Sequence, residues 1–374
     1  MKNLFDGTKI KGMELRNRFV RSATWEGMCD EVGRPSQKLA ECYQQLAGGG
    51  VGLIITGYTF VRPDGKQTRG SMGAQCDIFV NDMQALCTAV HNAGGRICVQ
   101  LVHAGGQARV PAGLRLIAPS AFAATEYSAV PSEMSLGDIS EVAAAFGESA
   151  RRAKDWGFDA IQLHAAHGYL INQFLSPRTN HRVDAYGGSI ENRMRFLLEV
   201  YRSARSAVGS AFPVLVKLSG SDFIKNGFSI EDAVKVAAAL DHEGIDAIEV
   251  SGGTPASGEY TPVRKKIDTC EQEAYNLPLA VRIKSVVTCP TMAVGGFRTF
   301  DLMQEVIEKE KADYISLARP FIREPRLVHR WQSGDTSRAR CISCNGCYRP
   351  GLREGGIACI VDRAERRGNA HQER

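Results

Sequence analysis

The chain has 374 residues, of which 44% are apolar and 23% charged, and its formal net charge is +5. That length accommodates two average domains or one large α/β barrel, with apolar residues enough for a sizeable core. So mild a charge gives no reason to expect nucleic acid as a partner, and the longest apolar runs fall far short of the ~18 residues of a transmembrane span. The N-terminal MKNLFDGTKIKGMEL carries charges and glycines where a signal peptide needs a continuous apolar segment. A cytoplasmic protein with no membrane partner is expected. The 11 cysteines are odd in number, and in such a chain they argue for thiols or a metal site rather than a disulfide framework.

Short β-rich apolar segments predict strands at Phe19–Ser22, Val51–Thr56, Ile97–Leu101, Ala160–Leu163, Val214–Leu218, Ala247–Val250, Met292–Val294 and Tyr314–Leu317. Amphipathic segments between them predict helices near 36–47, 77–93, 138–156, 190–208, 230–243, 275–287, 300–309 and 324–333. Alternating strand and helix argues for a parallel sheet, and eight such units fit a closed (β/α)8 barrel. The alternative, a doubly wound sheet, lacks the GxGxxG expected after its first strand. The longest connection, roughly 103–137, follows the third strand, and a loop of that length is usually functional or mobile. The last stretch, VDRAERRGNAHQER, is basic and reads as a solvated end.

Barrel enzymes place their chemistry at the C-terminal ends of their strands. The fourth predicted strand ends in His164, followed at once by His167 and Tyr169, a group able to hold a carbonyl and deliver a proton. Taken alone, His-x-x-His also suits a core pair or two zinc ligands lacking a third. The seventh strand ends AVGGF, with Gly295 and Gly296, and the eighth ends SLARPF, with Ala318 and Arg319. Loops after these two strands form the common phosphate site of barrels: glycine admits close backbone approach, and arginine gives a forked contact. Separately, the two turns also fit ordinary tight turns and a surface ion pair.

Near the C-terminus, Cys341, Cys344, Cys347 and Cys359 follow the spacing C-x2-C-x2-C-x11-C. Four thiols so spaced suit a 4Fe–4S cluster or, less readily, a structural zinc. The alternative is a set of unliganded thiols on a terminal loop.

These motifs, together with LRNRFVRSAT (15–24), GGVGLIITG (49–57), VQLVHAGGQ (99–107), HAAHGYLINQFLSP (164–177) and NHRVDAYGGSIENR (180–193), resemble the Old Yellow Enzyme family of NADH:flavin oxidoreductases over residues ~3–335. The resemblance implies a (β/α)8 TIM barrel over 1–335, an N-terminal hairpin capping its bottom, and a cysteine-rich extension over 336–374. It implies FMN, with Ala23, Thr24, Trp25, Gly57, Gln100 and Lys217 along the flavin and Ser251, Gly252, Gly295, Gly296, Ala318 and Arg319 around the ribityl chain and phosphate. It implies NAD(P)H as co-substrate and reduction of activated C=C bonds of α,β-unsaturated carbonyl compounds, with hydride from flavin N5. His164 and His167 would hold the carbonyl and Tyr169 would give the proton. An amine dehydrogenase-like flavoenzyme and a flavin or cluster electron carrier without turnover are the alternatives. The partner expected is a small-molecule substrate, and a homo-oligomer is expected.

The cysteine spacing resembles the cluster loop of the trimethylamine dehydrogenase and dienoyl-CoA reductase branch. Enzymes of that branch continue into a second flavin or nucleotide region, whereas about 15 residues follow Cys359 here, so no in-chain electron partner for a cluster is expected. Two positions depart from the family. Lys217 stands where the family usually has arginine, giving a cation without a fork. Trp25 stands where threonine or cysteine commonly tunes the flavin, and an indole there is expected to narrow the pocket. Substrate choice is expected to lie with the 103–137 loop and the region near Tyr260–Lys266.

Overall fold

The computed structural model describes residues 2–372, with side chains as far as residue 366. A short antiparallel hairpin, β1 (Thr8–Ile10) and β2 (Met13–Leu15), precedes the first barrel strand, β3 (Phe19–Arg21). The chain continues through β4 (Leu53–Ile55), a short β5 (Thr59–Phe60), β6 (Arg96–Val102), and the excursion strands β7 (Ile117–Ala118) and β8 (Ser132–Glu133). The remaining barrel strands are β9 (Ala160–Ala165), β10 (Val214–Ser219), β11 (Ala247–Ser251), β12 (Thr291–Val294) and β13 (Tyr314–Leu317).

All pairings around the main sheet are parallel, and β13 pairs with β3 through Ile315↔Phe19 and Leu317↔Arg21. That pairing closes a barrel of eight strands, each at a position expected from the sequence, and removes the doubly wound alternative. The strands are buried along almost their whole length, because helices cover the outside and side chains fill the inside. Ser36, Ser135 and Ser229 each start a helix by accepting an N–H from its first turn, at Leu39, Asp138 and Asp232 respectively. Among the described residues no helix is long and apolar enough to cross a membrane.

Strand periodicity sorts the barrel interior into layers. The lowest layer is apolar: Val20, Leu53, Cys98, Ala160, Leu215, Ala247, Met292 and Tyr314 pack with Ile10, Met13 and Leu15 of the hairpin. The hairpin therefore plugs the bottom, as the resemblance implies. Two residues further along β6, β9, β10 and β11 the inward positions turn polar, with Gln100, Gln162, Lys217 and Glu249, all buried. Two residues beyond these, at the mouth, stand His164 and Ser251.

Differences from the sequence-based elements lie mainly past the strand ends. A helix over Leu170–Leu175 follows Tyr169 directly, and another over Arg319–Arg323 follows β13. Both are a turn or so long, too short for an amphipathic period to register. The helix expected over 190–208 is interrupted at Met194. The stretch Asn180–Arg193, highly specific as a motif, acts as a clasp. Arg182 forks onto Asp184 and donates to the carbonyls of Pro119 and Met134, tying down the excursion that carries β7 and β8.

Candidate active site

The mouth of the barrel holds a cavity of about 370 Å³. On one wall, His164 and His167 stand edge to face with ring centres 5.0 Å apart, and the Tyr169 ring lies 4.8 Å from that of His164. The Ala166 N–H donates to His164 Nδ1 at 3.3 Å, which leaves Nε2 as the protonated nitrogen of the neutral ring. His167 adopts φ +64°, a left-handed backbone that costs of order 1 kcal/mol for a residue with a Cβ. Gln107 Nε2 donates to its carbonyl at 3.0 Å, its own N–H donates to Ser219 Oγ at 3.3 Å, and its Nε2 lies 2.8 Å from Ser251 Oγ. The turn is thus held on both sides, and the ring is aimed.

Burial drives both imidazoles well below the usual histidine range. His164 is pushed further by His167 and then Lys217, and His167 by Lys217. Both are neutral at physiological pH, donors without a charge. Burial drives the Tyr169 phenol the other way, well above its usual value, with Tyr58 and Tyr348 adding to the effect. Its O–H donates to Gln67 Oε1 at 2.7 Å. The group keeps its proton and holds it in a defined place.

The floor is a relay of buried polar groups. Gln100 Nε2 donates to Gln162 Oε1 at 2.7 Å, and Gln162 Nε2 donates to Glu249 Oε2 at 3.0 Å. Lys217 Nζ lies 3.2 Å from the same carboxylate oxygen and donates to Ser22 Oγ at 2.8 Å. The expected cation at Lys217 is present, but Glu249 compensates its charge.

The other end of the cavity lies at β12 and β13, and β13 is diametrically opposite β9 in the closed order. Gly296 (φ +77°), Arg298, Ser316, Ala318 and Arg319 meet here. Arg319 uses Nη1 on the Arg264 carbonyl at 2.7 Å and on Asn345 Oδ1 at 2.6 Å. Arg298 donates through Nη1 to the Cys341 carbonyl, while its Nε and Nη2 are buried and find no hydrogen-bond acceptor among the described residues, with Glu273 Oε1 4.0 Å from Nε. Ser316 Oγ is buried too, and unpartnered among the described residues. Buried donors without acceptors on Arg298 and Ser316, beside Arg319 and the Gly296 turn, fit an anion.

The cavity wall includes Ala23, Thr24, Trp25, Gln100, His164, His167, Tyr169, Lys217, Ser251, Gly296, Ala318 and Arg319 of the residues expected from the sequence. Gly57, Gly252 and Gly295 stand behind it. A Cβ on Gly57 would collide with the Glu26 carboxylate, one on Gly252 would come 2.9 Å from the Phe223 ring, and one on Gly295 would come 3.1 Å from that of Tyr275. These three glycines let neighbouring walls close up. Trp25 does face the cavity, its Nε1 donating to the Arg69 carbonyl at 3.0 Å. Of the 103–137 stretch only Gln107 reaches the wall, while Thr261, Pro262 and Val263 line it from the Tyr260–Lys266 region.

The sequence reading missed Arg298, Ser316, Tyr58, Gln67, Ser343 and Tyr348. Arg298 was within reach, two residues past Gly296 in GGFR, and Tyr58 directly follows Gly57. Ser343 and Tyr348 carried no signal: the cysteine-bearing segment folds back over the mouth and brings both to the cavity. Of its thiols, Cys344 is exposed, Cys347 buried, and Cys341 and Cys359 intermediate. Burial, then the Cys341 charge, pushes the Cys347 thiol up to about 11. Among the described residues no three His, Cys, Asp or Glu side chains are grouped so as to hold a metal ion. The four cysteines as arranged do not form a ligand set.

A closed parallel barrel with Arg298, Ser316 and Arg319 at its last two strands, facing neutral imidazoles and a held phenol, is the frame of a barrel oxidoreductase. The chain belongs to the NADH:flavin oxidoreductase / NADH oxidase family, whose model matches residues 3–337. It is 37% identical to an NADH oxidase of Thermoanaerobacter brockii over 92% of this chain and 53% of that one. It is 38% identical to an NADPH dehydrogenase of Geobacillus thermodenitrificans over 86% of this chain and 91% of that one. The solved structure of an old yellow enzyme homologue from Zymomonas mobilis superposes with a TM-score of 0.77 at 28% identity, over 90% of this chain and 94% of that one. The chain spans about half the length of the curated relatives it first matches.

Proposed function

We propose that this protein binds FMN in the barrel mouth and uses NAD(P)H to reduce activated C=C bonds of α,β-unsaturated carbonyl compounds. The observation that carries the reading is the convergence of His164, His167 and Tyr169 on one wall, across the cavity from Arg319 and the unsatisfied donors of Arg298 and Ser316. The fit to FMN rests on those donors and on a mouth bounded by Ala23, Thr24, Gln100 and Lys217. Arg298, Arg319, Ser316 and the Gly296 turn would hold the phosphate, and Gln100 and Lys217 the polar edge of the ring. FMN, when bound, supplies the two-electron chemistry.

The chain's own residues do the rest. The uncharged His164 and His167 present N–H donors to a carbonyl oxygen and stabilise the negative charge that develops there. Neutrality helps: a charged imidazolium would attract anions indiscriminately, whereas a neutral donor matters most as charge appears. Tyr169 holds its proton beside Gln67 and delivers it to the substrate α-carbon. The walls exclude water with Trp25, Tyr58 and Tyr348.

A cationic amine substrate is less well served, since among the described residues no Asp or Glu lines the cavity. In this reading residues 1–335 form the FMN barrel and 336–374 an accessory extension over its mouth. A 4Fe–4S cluster at Cys341, Cys344, Cys347 and Cys359 would require the loop to rearrange, and no step is assigned to one. Purified protein should be yellow, and with oxygen excluded should turn over NADPH or NADH only when an enone is added. Colourless protein that fails to take up FMN, or nucleotide oxidation indifferent to the enone, would overturn the proposal.

A further inference from the structure

Beside the active-site cavity runs a second hollow of about 920 Å³, sharing Thr261, Val263, Tyr275 and Tyr348 with it. Three consecutive cations, Arg264, Lys265 and Lys266, line it. The lysines are exposed, and none of the three forms an ion pair with a carboxylate among the described residues. Arg264 is fixed by aromatic faces: its guanidinium lies 4.3 Å from the Tyr275 ring centre, 4.9 Å from that of Tyr260 and 5.1 Å from that of Phe223. Its Nε is buried without an acceptor among the described residues. Tyr260 is 45% exposed, an aromatic surface left to solvent at the groove's edge.

Here unpaired cations, an open aromatic ring and two carboxylates, Glu259 and Glu271, line one hollow. A nucleotide satisfies all three features: its diphosphate meets the cations, its base stacks on tyrosine, and its ribose hydroxyls and exocyclic amine donate to carboxylates. The two hollows share four wall residues, so a nucleotide seated here lies beside the cavity that holds His164 and Tyr169.

We infer that this groove seats an adenosine diphosphate handle on a ligand whose reactive end enters the cavity. Two such ligands share that chemistry, the reductant NAD(P)H and a coenzyme A thioester of an unsaturated acid. The inference deepens the reading above and rests on it for what happens at the reactive end. The binding claim stands separately.

The test is calorimetric titration of the FMN-loaded protein with ADP, where FMN already fills the Arg319 end. ADP should bind, more weakly as salt is raised, and Lys265→Ala/Lys266→Ala should weaken it roughly tenfold. A Lys9→Ala variant on the bottom hairpin, where that lysine is exposed, should bind ADP like the unaltered protein. No ADP binding, equal binding by the Lys265/Lys266 variant, or equal loss in the hairpin variant overturns the groove. Titrations with NADH, NADPH and coenzyme A then tell the sources apart, because the true handle should lose most in the Lys265/Lys266 variant. Turnover of cyclohexenone with N-benzyl-1,4-dihydronicotinamide, which has no ADP, tests the reaction independently. If that turnover is absent while ADP binds as expected, the reaction falls and the groove stands. The converse result removes the groove alone.

Discussion

His167 Nε2 lies 2.8 Å from Ser251 Oγ, a bond from the turn after β9 to the last residue of β11. The two strands are not neighbours, so this contact fixes the imidazole across β10 and compensates for its left-handed backbone. Replacing Ser251 by alanine removes one hydrogen bond of about 1 kcal/mol. Carbonyl ligand affinity in the FMN-loaded protein should fall roughly fivefold. Since both imidazoles titrate well below the usual range, that affinity should be flat between pH 6 and 8. A steep rise or fall there, measured by ligand titration of the flavin absorbance, would contradict neutral donors.

Tyr169 gives the sharpest dissection of the proposed reaction. Tyr169→Phe keeps the ring that packs on His164 and loses the proton. Oxidation of reduced protein by an enone should slow by 10²-fold or more, the usual scale of general acid catalysis, while reduction by NAD(P)H should stay nearly unchanged. Because burial raises the phenol well above its usual value, the enone step should show no loss from Tyr169 ionisation up to about pH 10. Stopped-flow measurement of the two half-reactions decides, and equal slowing of both would remove Tyr169 from the donor role.

Much of the barrel is legible in the sequence because its strands are covered on both faces, giving continuous apolar runs that differ sharply from the amphipathic helices. His164, His167 and Tyr169 are legible for a related reason: they follow one strand within a few residues. What escapes is whatever depends on distant chain meeting chain. Lys217 reads as a free cation until Glu249, on the next strand, appears beside it. Tyr348 reads as a neighbour of a cysteine until its segment folds over the mouth. Arg182 and Arg193 read only as parts of a family motif until their hydrogen bonds to backbone carbonyls away from the cavity appear.

Glu26 is buried 3.0 Å from Arg21, behind Trp25 and Gly57. Burial outweighs the Arg21 attraction and raises its carboxyl to about 7 from an ordinary 4.5. The folded protein therefore binds a proton there that the unfolded chain releases between pH 4.5 and 7. The neutral carboxyl's advantage is present below pH 4.5 and is lost as the pH rises to 7, a change of roughly 3 kcal/mol. Glu26→Gln cannot ionise, so its urea-unfolding free energy should match the parent at pH 4.5 and exceed it by pH 8. A variant less stable than the parent at pH 8 would mean that the Arg21 pair is net stabilising.

The cysteine loop makes a prediction about accessibility. With the thiols arranged as they are, Cys344 and Cys270 are exposed, whereas Cys347 is buried and its thiol is held up at about 11. Thiolate is the reacting species, so burial and a raised pKa act in the same direction. Brief iodoacetamide treatment of anaerobically purified protein at pH 8 should label Cys344 about as fast as Cys270 and leave Cys347 unlabelled, as read by peptide mass spectrometry. A bound cluster or zinc would protect Cys341, Cys344, Cys347 and Cys359 together, with Cys270 still labelled, and would release all four on chelation. Protection of Cys344 alongside iron in the same sample would show that this loop closes into a ligand set that the arrangement described above does not have.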